Sequence, residues 1–263
     1  RTRVGRRRYY IYNYQGKIMT DAKQTIFGIH PVEMLLKSPI KIEKILILES
    51  LQKNKLDFFK KKAFEKKIPI ETASNRKIMD DICPDDAHQG IIAFVKTEVQ
   101  YLPLESLKEA KTILILDHIT DARNFGAIIR SADLFSVDAL VIPEDRSVHI
   151  NPTVIKASAG TAFFMKIIKV PNLSNAILKL KDWGFWIYGS VGEGGEDLFK
   201  TPLSEKTAIV LGSEGKGIAE KILEKCDFKI SIPTEGNIDS LNVSVATGII
   251  LYDLSIKRRK VQG

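Results

Sequence analysis

Polar side chains able to orient a substrate or move a proton gather at three places in the second half of the chain. The first is Asp117-His-Ile-Thr-Asp-Ala-Arg-Asn-Phe-Gly-Ala-Ile-Ile-Arg-Ser-Ala132. A buried strand ends near Asp117, a polar loop follows, and a helix then carries Ile128, Ala132 and Phe135 inward. Asn124 and Arg130 stand six residues apart, so they do not stack on one helical face. Asn124 belongs to the loop or the helix cap, and Arg130 to the helix body. By spacing alone each has a plain structural role, an N-cap for Asn124 and a solvated helix arginine for Arg130. The second place is Ile209-Val-Leu-Gly-Ser-Glu-Gly-Lys-Gly217, a strand running into a loop with three glycines. Such a loop lets a ligand approach the backbone closely. Its spacing fits neither the dinucleotide fingerprint nor the phosphate-cradling Walker loop, and Gly192-Glu-Gly-Gly195 fits neither. Glu214 in this loop either orients a substrate or caps the helix expected after Gly217. The third place is Ile230-Ser-Ile-Pro233, a loop over 234–239, and Ser240-Leu-Asn-Val-Ser244. Ser240 reads as the helix N-cap, and Asn242 as a first-turn amide facing a ligand.

The elements that must hold these residues alternate. Apolar runs at 112–116, 139–142, 163–168, 185–188, 208–211 and 228–232 are separated mostly by helical stretches. This alternation predicts an α/β fold, a parallel sheet with helices on both faces. All three polar segments then stand beyond carboxyl ends of strands, where open α/β sheets bind ligands. Val243, Thr247, Ile250 and Leu254 mark a final amphipathic helix, and Lys257-Arg-Arg-Lys260 suits its C-terminal dipole. Residues 111–263 form this larger domain, and 25–96 form a smaller α/β domain before it. In the smaller one Pro31 opens a short helix, and Lys44–Leu48, Ile68-Pro-Ile70 and Gly90–Val95 read as strands. Leu56, Phe59, Ala63 and Phe64 repeat at helical spacing. Residues 97–110, with Pro103, suit a linker. Residues 1–24 read as a basic tail, disordered or non-native. Its interleaved arginines and tyrosines (Arg6 to Arg8, then Tyr9, Tyr10, Tyr12 and Tyr14) could also bind RNA by charge and stacking.

The 263 residues carry a net charge of +8, with Lys60-Lys-Lys62 and Lys66-Lys67 crowded into the first third. That excess suggests a polyanionic partner, against the plainer reading of a solvated lysine surface. Cys83 and Cys226 are far apart, which argues against a disulfide scaffold. The four histidines form no cluster at metal spacing, so no metal is expected. No apolar run approaches the roughly 20 residues of a membrane span, and no stretch has a secretory signal's form. A cytoplasmic location is expected.

Jointly the three segments resemble the SpoU (TrmH-like) family of SPOUT methyltransferases. The matching strings are Asn124-Phe-Gly-Ala-Ile-Ile-Arg130, Leu211-Gly-Ser-Glu-Gly-Lys-Gly217, and Ile232-Pro233 through Ser240-Leu-Asn-Val-Ser-Val-Ala-Thr-Gly248, in the family's order. Gly28-Ile-His-Pro-Val-Glu33 and His88-Gln-Gly-Ile-Ile-Ala93 resemble the family's substrate-binding domain. The layout is similar to bacterial enzymes that methylate a guanosine ribose in large-subunit ribosomal RNA. The resemblance implies methyl transfer from S-adenosylmethionine to a ribose 2′-hydroxyl, with S-adenosylhomocysteine as product. It implies a C-terminal trefoil knot, an exception to unknotted topology, preceded by an L30e-like domain that binds RNA, and a homodimer. Carried over by position, Leu211, Gly212, Ile232, Pro233 and Leu241 contact the cofactor. Asn124, Arg130, Glu214, Ser240 and Asn242 form the catalytic set. The family's proposed base falls on Arg130. A guanidinium titrates above about 12, so a bidentate hold on an RNA phosphate is its easier role. The rival readings are the same reaction on tRNA, a catalytically silent RNA-binding protein, and a nucleotide-dependent dehydrogenase, which the missing glycine fingerprint disfavours.

Overall fold

The computed structural model describes residues 10–11, 18–19, 24–83, 88–95, 101–236 and 240–262. The arginine run of the tail, Tyr9, Tyr12, Tyr14 and residues 97–100 lie outside the described residues. The chain divides into two compact units, residues 1–99 and 100–263.

In the first unit, β1 (Tyr10–Ile11) pairs antiparallel with β2 (Ile18–Met19). Then follow β3 (Gln24–Phe27), α1 (Ile29–Lys37), β4 (Ile42–Leu48), α2 (Lys53–Glu65), β5 (Ile70–Ala73), α3 (Arg76–Asp80) and β6 (Ile91–Val95). The last four strands make a sheet in the order β3-β6-β4-β5, antiparallel except for the parallel β4–β5 pair. All of β6 and Ile45–Ile47 of β4 are buried, as their apolar runs require. The strand expected at 68–70 begins only at Ile70. Pro69 has no N–H for a ladder, and its carbonyl accepts from the Ile45 amide at 2.9 Å just ahead of the strand. Pro31 sits in the first turn of α1, where a missing N–H costs nothing.

The second unit runs β7 (Thr112–Asp117), α4 (Ala122–Leu134), β8 (Ala139–Pro143), α5 (Pro152–Ala157), β9 (Ile167–Val170), α6 (Leu173–Asp182) and β10 (Trp186–Ser190). It continues with β11 (Glu196–Asp197), β12 (Thr207–Gly212), α7 (Glu220–Leu223), β13 (Phe228–Ser231) and α8 (Val243–Gln262). Its seven strands form one sheet in the order β11-β13-β10-β12-β7-β8-β9, and every pairing is parallel. Thus β7, β8 and β9 step outward to one side. The chain then crosses to β10, and β12 returns to fill the place between β10 and β7. On β7, Ile113 and Ile115 pack into a core with Ile177 and Leu180 of α6, while α4 packs against α5 and α8. Each fully buried aliphatic side chain there contributes roughly 1.5–3 kcal/mol. Gly126 permits the close approach of α4 and α5, since a Cβ there would lie 2.4 Å from that of Ala157.

Two stretches differ from the sequence expectation. The apolar run at 163–168 is not one strand. Thr161–Phe163 form a single 3-10 turn and β9 starts at Ile167. The Thr161 hydroxyl donates to the Ser158 carbonyl at 2.9 Å, and the Ser158 hydroxyl to Ile155 at 3.0 Å, which keeps this stretch coiled. Residues 104–107 of the expected linker form another 3-10 turn, and Leu104, Leu107 and Ala110 are buried in the second unit's core. At the far end, Val243, Thr247, Ile250 and Leu254 are all buried. The basic end of α8 does more than face solvent. Lys257 donates to the carbonyls of Leu198 and Thr201 at 2.5 and 2.9 Å, and Arg258 reaches the Thr112 hydroxyl and the Glu205 carbonyl. These bonds tie the helix to the sheet it covers.

Candidate active site

Loops after β10, β12 and β13 and the start of α8 enclose a cleft of about 620 Å³ at the carboxyl ends of the parallel strands. Its floor is the 211–217 loop. Ser213 and Gly217 exchange backbone hydrogen bonds at 3.1 and 2.9 Å, and Gly215 and Gly217 adopt φ of 79° and 67°. These left-handed conformations suit glycine. Gly212 is needed for space: a Cβ on it would lie 2.1 Å from the Gly217 carbonyl carbon.

Three side chains from the three sequence segments meet at the cleft's edge. The Asn124 amide nitrogen donates to Glu214 Oε1 at 3.0 Å. The Asn242 amide nitrogen donates to the same Glu214 oxygen at 2.5 Å and to Asn124 Oδ1 at 3.0 Å. Local backbone chemistry frees and aims each group. Asp121, not Asn124, caps α4, its Oδ1 accepting from the Asn124 backbone amide at 2.7 Å. Asn124 is therefore inside the first turn, and its side chain is available for Glu214. Asn242, not Ser240, caps α8. Its Oδ1 accepts from the Ser244 backbone amide at 2.9 Å and the Ser244 hydroxyl at 2.6 Å. Because that oxygen is committed to donors, the amide nitrogen must face Glu214. Glu214 thus braces α4 against α8 rather than capping α7, whose N-cap is Ala219.

Asp117, which the sequence reading passed over as a strand end, is a second brace. It is buried, and its Oδ2 accepts from the Ala219 amide at 2.7 Å while Oδ1 lies 2.5 Å from His118 Nδ1. This ties the end of β7 to the exit of the glycine loop, and Asp117 pairs in register with Gly212. The legible signal was a carboxylate closing an otherwise apolar strand.

Of the expected cofactor contacts, Leu211, Gly212, Ile232 and Leu241 line the cleft, and Pro233 does not. Ser240, Glu214 and Asn242 line it too, as do Ser190–Gly192, Lys216 and Thr234, which sequence reasoning did not single out. Arg130 lies six residues along α4 from Asn124, about 9 Å up the axis and on another face. It is exposed, and among the described residues its guanidinium has no hydrogen-bond or ion-pair partner. No group of three His, Cys, Asp or Glu side chains suited to a metal occurs among the described residues. Among those residues no helix is long and apolar enough to cross a membrane.

Residues 111–252 match the SpoU rRNA methylase family, and residues 25–100 match the RNA 2′-O ribose methyltransferase substrate-binding family. The chain belongs to the SpoU methylase family. It is with that family an S-adenosylmethionine-dependent RNA 2′-O-methyltransferase. The chain is 38% identical over 236 residues to the Salmonella typhimurium 23S rRNA (guanosine-2′-O-)-methyltransferase RlmB, covering 88% of this chain and 97% of that protein. A TrmH family tRNA/rRNA methyltransferase of Staphylococcus aureus is 37% identical over 242 residues, 90% of this chain and 97% of that one. Among solved structures, the SpoU methyltransferase AviRb of Streptomyces viridochromogenes with AdoMet superposes with a TM-score of 0.72 at 21% identity, covering 91% of each chain. An AdoMet-bound rRNA methyltransferase of Sinorhizobium meliloti gives 0.74 at 21% identity, covering 90% of this chain and 87% of that one. These two establish likeness of fold. The SpoU match spans the whole cleft, so all three segments fall within the family's own region.

The cleft's chemistry suits the cofactor. Leu211, Ile232 and Leu241 offer apolar walls to a flat heterocycle, and the exposed backbone of the glycine loop offers polar groups that a Cβ at 212 would displace.

Proposed function

We propose that the chain methylates the ribose 2′-hydroxyl of a guanosine in large-subunit ribosomal RNA. The observation that carries the reaction is the Asn124–Glu214–Asn242 triangle, which fixes three segments around one cleft. The substrate reading is supported by the 38% identity to RlmB over nearly the full chain and by the net charge of +8.

Leu211, Gly212, Ile232 and Leu241 hold S-adenosylmethionine, with Pro233 beside them shaping the bend after β13. When bound, the cofactor supplies an electrophilic sulfonium methyl. The protein's task is then to position the 2′-hydroxyl in line and to assist loss of its proton. Asn124, Glu214 and Asn242 fix the loop and helix ends that frame the reacting groups, and Ser240 reaches the ribose. Arg130, exposed and unpaired among the described residues, holds an RNA phosphate through its forked donors. The 2′-hydroxyl requirement makes the substrate RNA.

Further parts of the reading concern architecture. The chain after β12 forms a trefoil knot around the cleft, and the 25–96 unit is an L30e-like RNA-binding domain. The enzyme works as a homodimer in the cytoplasm. Exposed Leu134 on α4, and Tyr252 and Val245 on α8, support pairing through those helices, since the two helices also pack on each other.

The test is a map of 2′-O-methyl nucleotides in ribosomal RNA and tRNA from cells with and without the gene. Loss of one guanosine methylation in large-subunit RNA supports the reading. Loss confined to tRNA overturns the substrate, and an unchanged map overturns the function.

A further inference from the structure

A second cavity, of about 380 Å³, lies wholly within the first unit. It is built around His88-Gln89-Gly90, a motif that the methyl-transfer chemistry does not use. His88 is 1% exposed, and its Nδ1 accepts from the Gly90 amide at 3.0 Å. The proton must then sit on Nε2, which donates to Asp80 at 2.9 Å. Gln89 takes a left-handed φ of 51°, and its Oε1 accepts from the Ile29 amide at 3.0 Å. A strained turn held by three polar bonds is costly unless its shape is needed. The turn lines the cavity together with Ser50, Leu51 and Lys55.

We infer that this cavity receives one unstacked nucleobase of the RNA substrate, with the adjoining phosphates held by Lys55 and Arg76 at its rim. The inference rests on the reading of the chain as an RNA-modifying enzyme and adds a nucleotide-sized contact far from the reaction in sequence. The volume of about 380 Å³ exceeds that of a base. The wall is mixed: Leu48 and Leu51 offer apolar contact, while Ser50, Gln52 and Gln89 offer hydrogen-bonding groups. Recognition of RNA favours such splayed bases, because the edges inside a duplex are poorly accessible. Charge is complementary as well. Lys53 and Lys55 open α2, and Arg76 and Lys77 open α3. Phosphate contacts would supply most of the affinity there, and the cavity would set the register.

The experiment uses the full chain and filter binding to an unmodified large-subunit ribosomal RNA transcript, with bulk tRNA run in parallel. Ser50→Trp fills the cavity without changing charge, and Lys55→Ala removes one rim cation. Both should weaken binding of the preferred RNA at least tenfold. Ser50→Trp should leave the salt dependence of binding unchanged, whereas Lys55→Ala should reduce its slope by about one. Lys62→Ala, a cation on the same helix outside the cavity, should change affinity less than threefold. Calorimetric binding of S-adenosylhomocysteine should match wild type in every variant, which also reports that the second unit is folded. Wild-type affinity in Ser50→Trp with a normal far-ultraviolet spectrum overturns the inference. If Ser50→Trp does not fold, equal losses in Lys55→Ala and Lys62→Ala overturn it instead. Failure of wild type to methylate either RNA would count against the function, while the binding comparison would still judge the cavity.

Discussion

Asn242 and Asn124, 118 residues apart in sequence, are joined by a 3.0 Å side-chain hydrogen bond, and both donate to one oxygen of Glu214. A single carboxylate oxygen therefore holds the first turn of α4 and the cap of α8 against the glycine loop. Such bonds to a charged acceptor are worth up to about 1.5–3 kcal/mol each, less where solvent reaches them as here.

Glu214→Ala should lower kcat/KM for methyl transfer by about 10–100-fold, the equivalent of roughly 1.4–2.8 kcal/mol. Glu214→Gln keeps one acceptor oxygen and should recover much of that loss. Steady-state assays with a tritiated methyl donor measure both. Equal activity in the alanine variant and wild type would separate the triangle from catalysis.

Gly212→Ala tests the cofactor cleft. A Cβ at 212 would lie 2.1 Å from Gly217 and 2.2 Å from the Ile218 amide nitrogen, all backbone atoms that cannot rotate away. The 213–217 loop must shift, so the Kd for S-adenosylhomocysteine should rise at least tenfold by calorimetry. Unchanged affinity would place the cofactor elsewhere.

How much of this could be read beforehand varied with the range of the interaction. Strand and helix alternation is local, and β4, β7, β8 and β12 lie close to their apolar runs. The three polar segments were legible as a set, as were the buried positions of α8. Which residue caps a helix was not: Ser240 and Asn124 looked adequate by type, yet Asn242 and Asp121 cap, because the choice depends on what else each amide must bind. Asp117 was missed because its partner, the Ala219 amide, is 102 residues away. Pro233 and Arg130 show the other limit. Matching a family's string does not put a side chain into a cleft of the single chain.

Asp117→Ala should destabilise the protein by about 1–3 kcal/mol in urea, since a buried bond to the Ala219 amide and the contact with His118 are both lost. Asp117→Asn should be milder. Its oxygen can accept from Ala219, and its amide can donate to His118 Nδ1 when that histidine carries its proton on Nε2. Equal stability of the alanine variant and wild type would contradict the bracing role.

Cys226 gives a pH-dependent signature. Burial pushes its thiol up from 9.0 to about 11. The thiolate is thus about a hundredfold scarcer than in an unperturbed thiol near pH 8, so alkylation by iodoacetamide should be slower by that order. The folded value is the higher one, so its stabilising effect is complete below pH 9 and is lost as pH rises from 9 toward 11. Peptide mass spectrometry after timed alkylation reads the rate, and reaction at the rate of a free thiol would show the site to be open.

The most direct test of the central claim is transfer of a tritiated methyl group to a large-subunit ribosomal RNA transcript, followed by alkaline hydrolysis. A 2′-O-methyl group blocks cleavage of the bond beside it. The label should therefore appear in an alkali-resistant dinucleotide with guanosine at the methylated position, and Asn242→Ala should reduce it at least tenfold. Label released in mononucleotides, as methylation of a base would give, or full transfer by Asn242→Ala, would contradict the account.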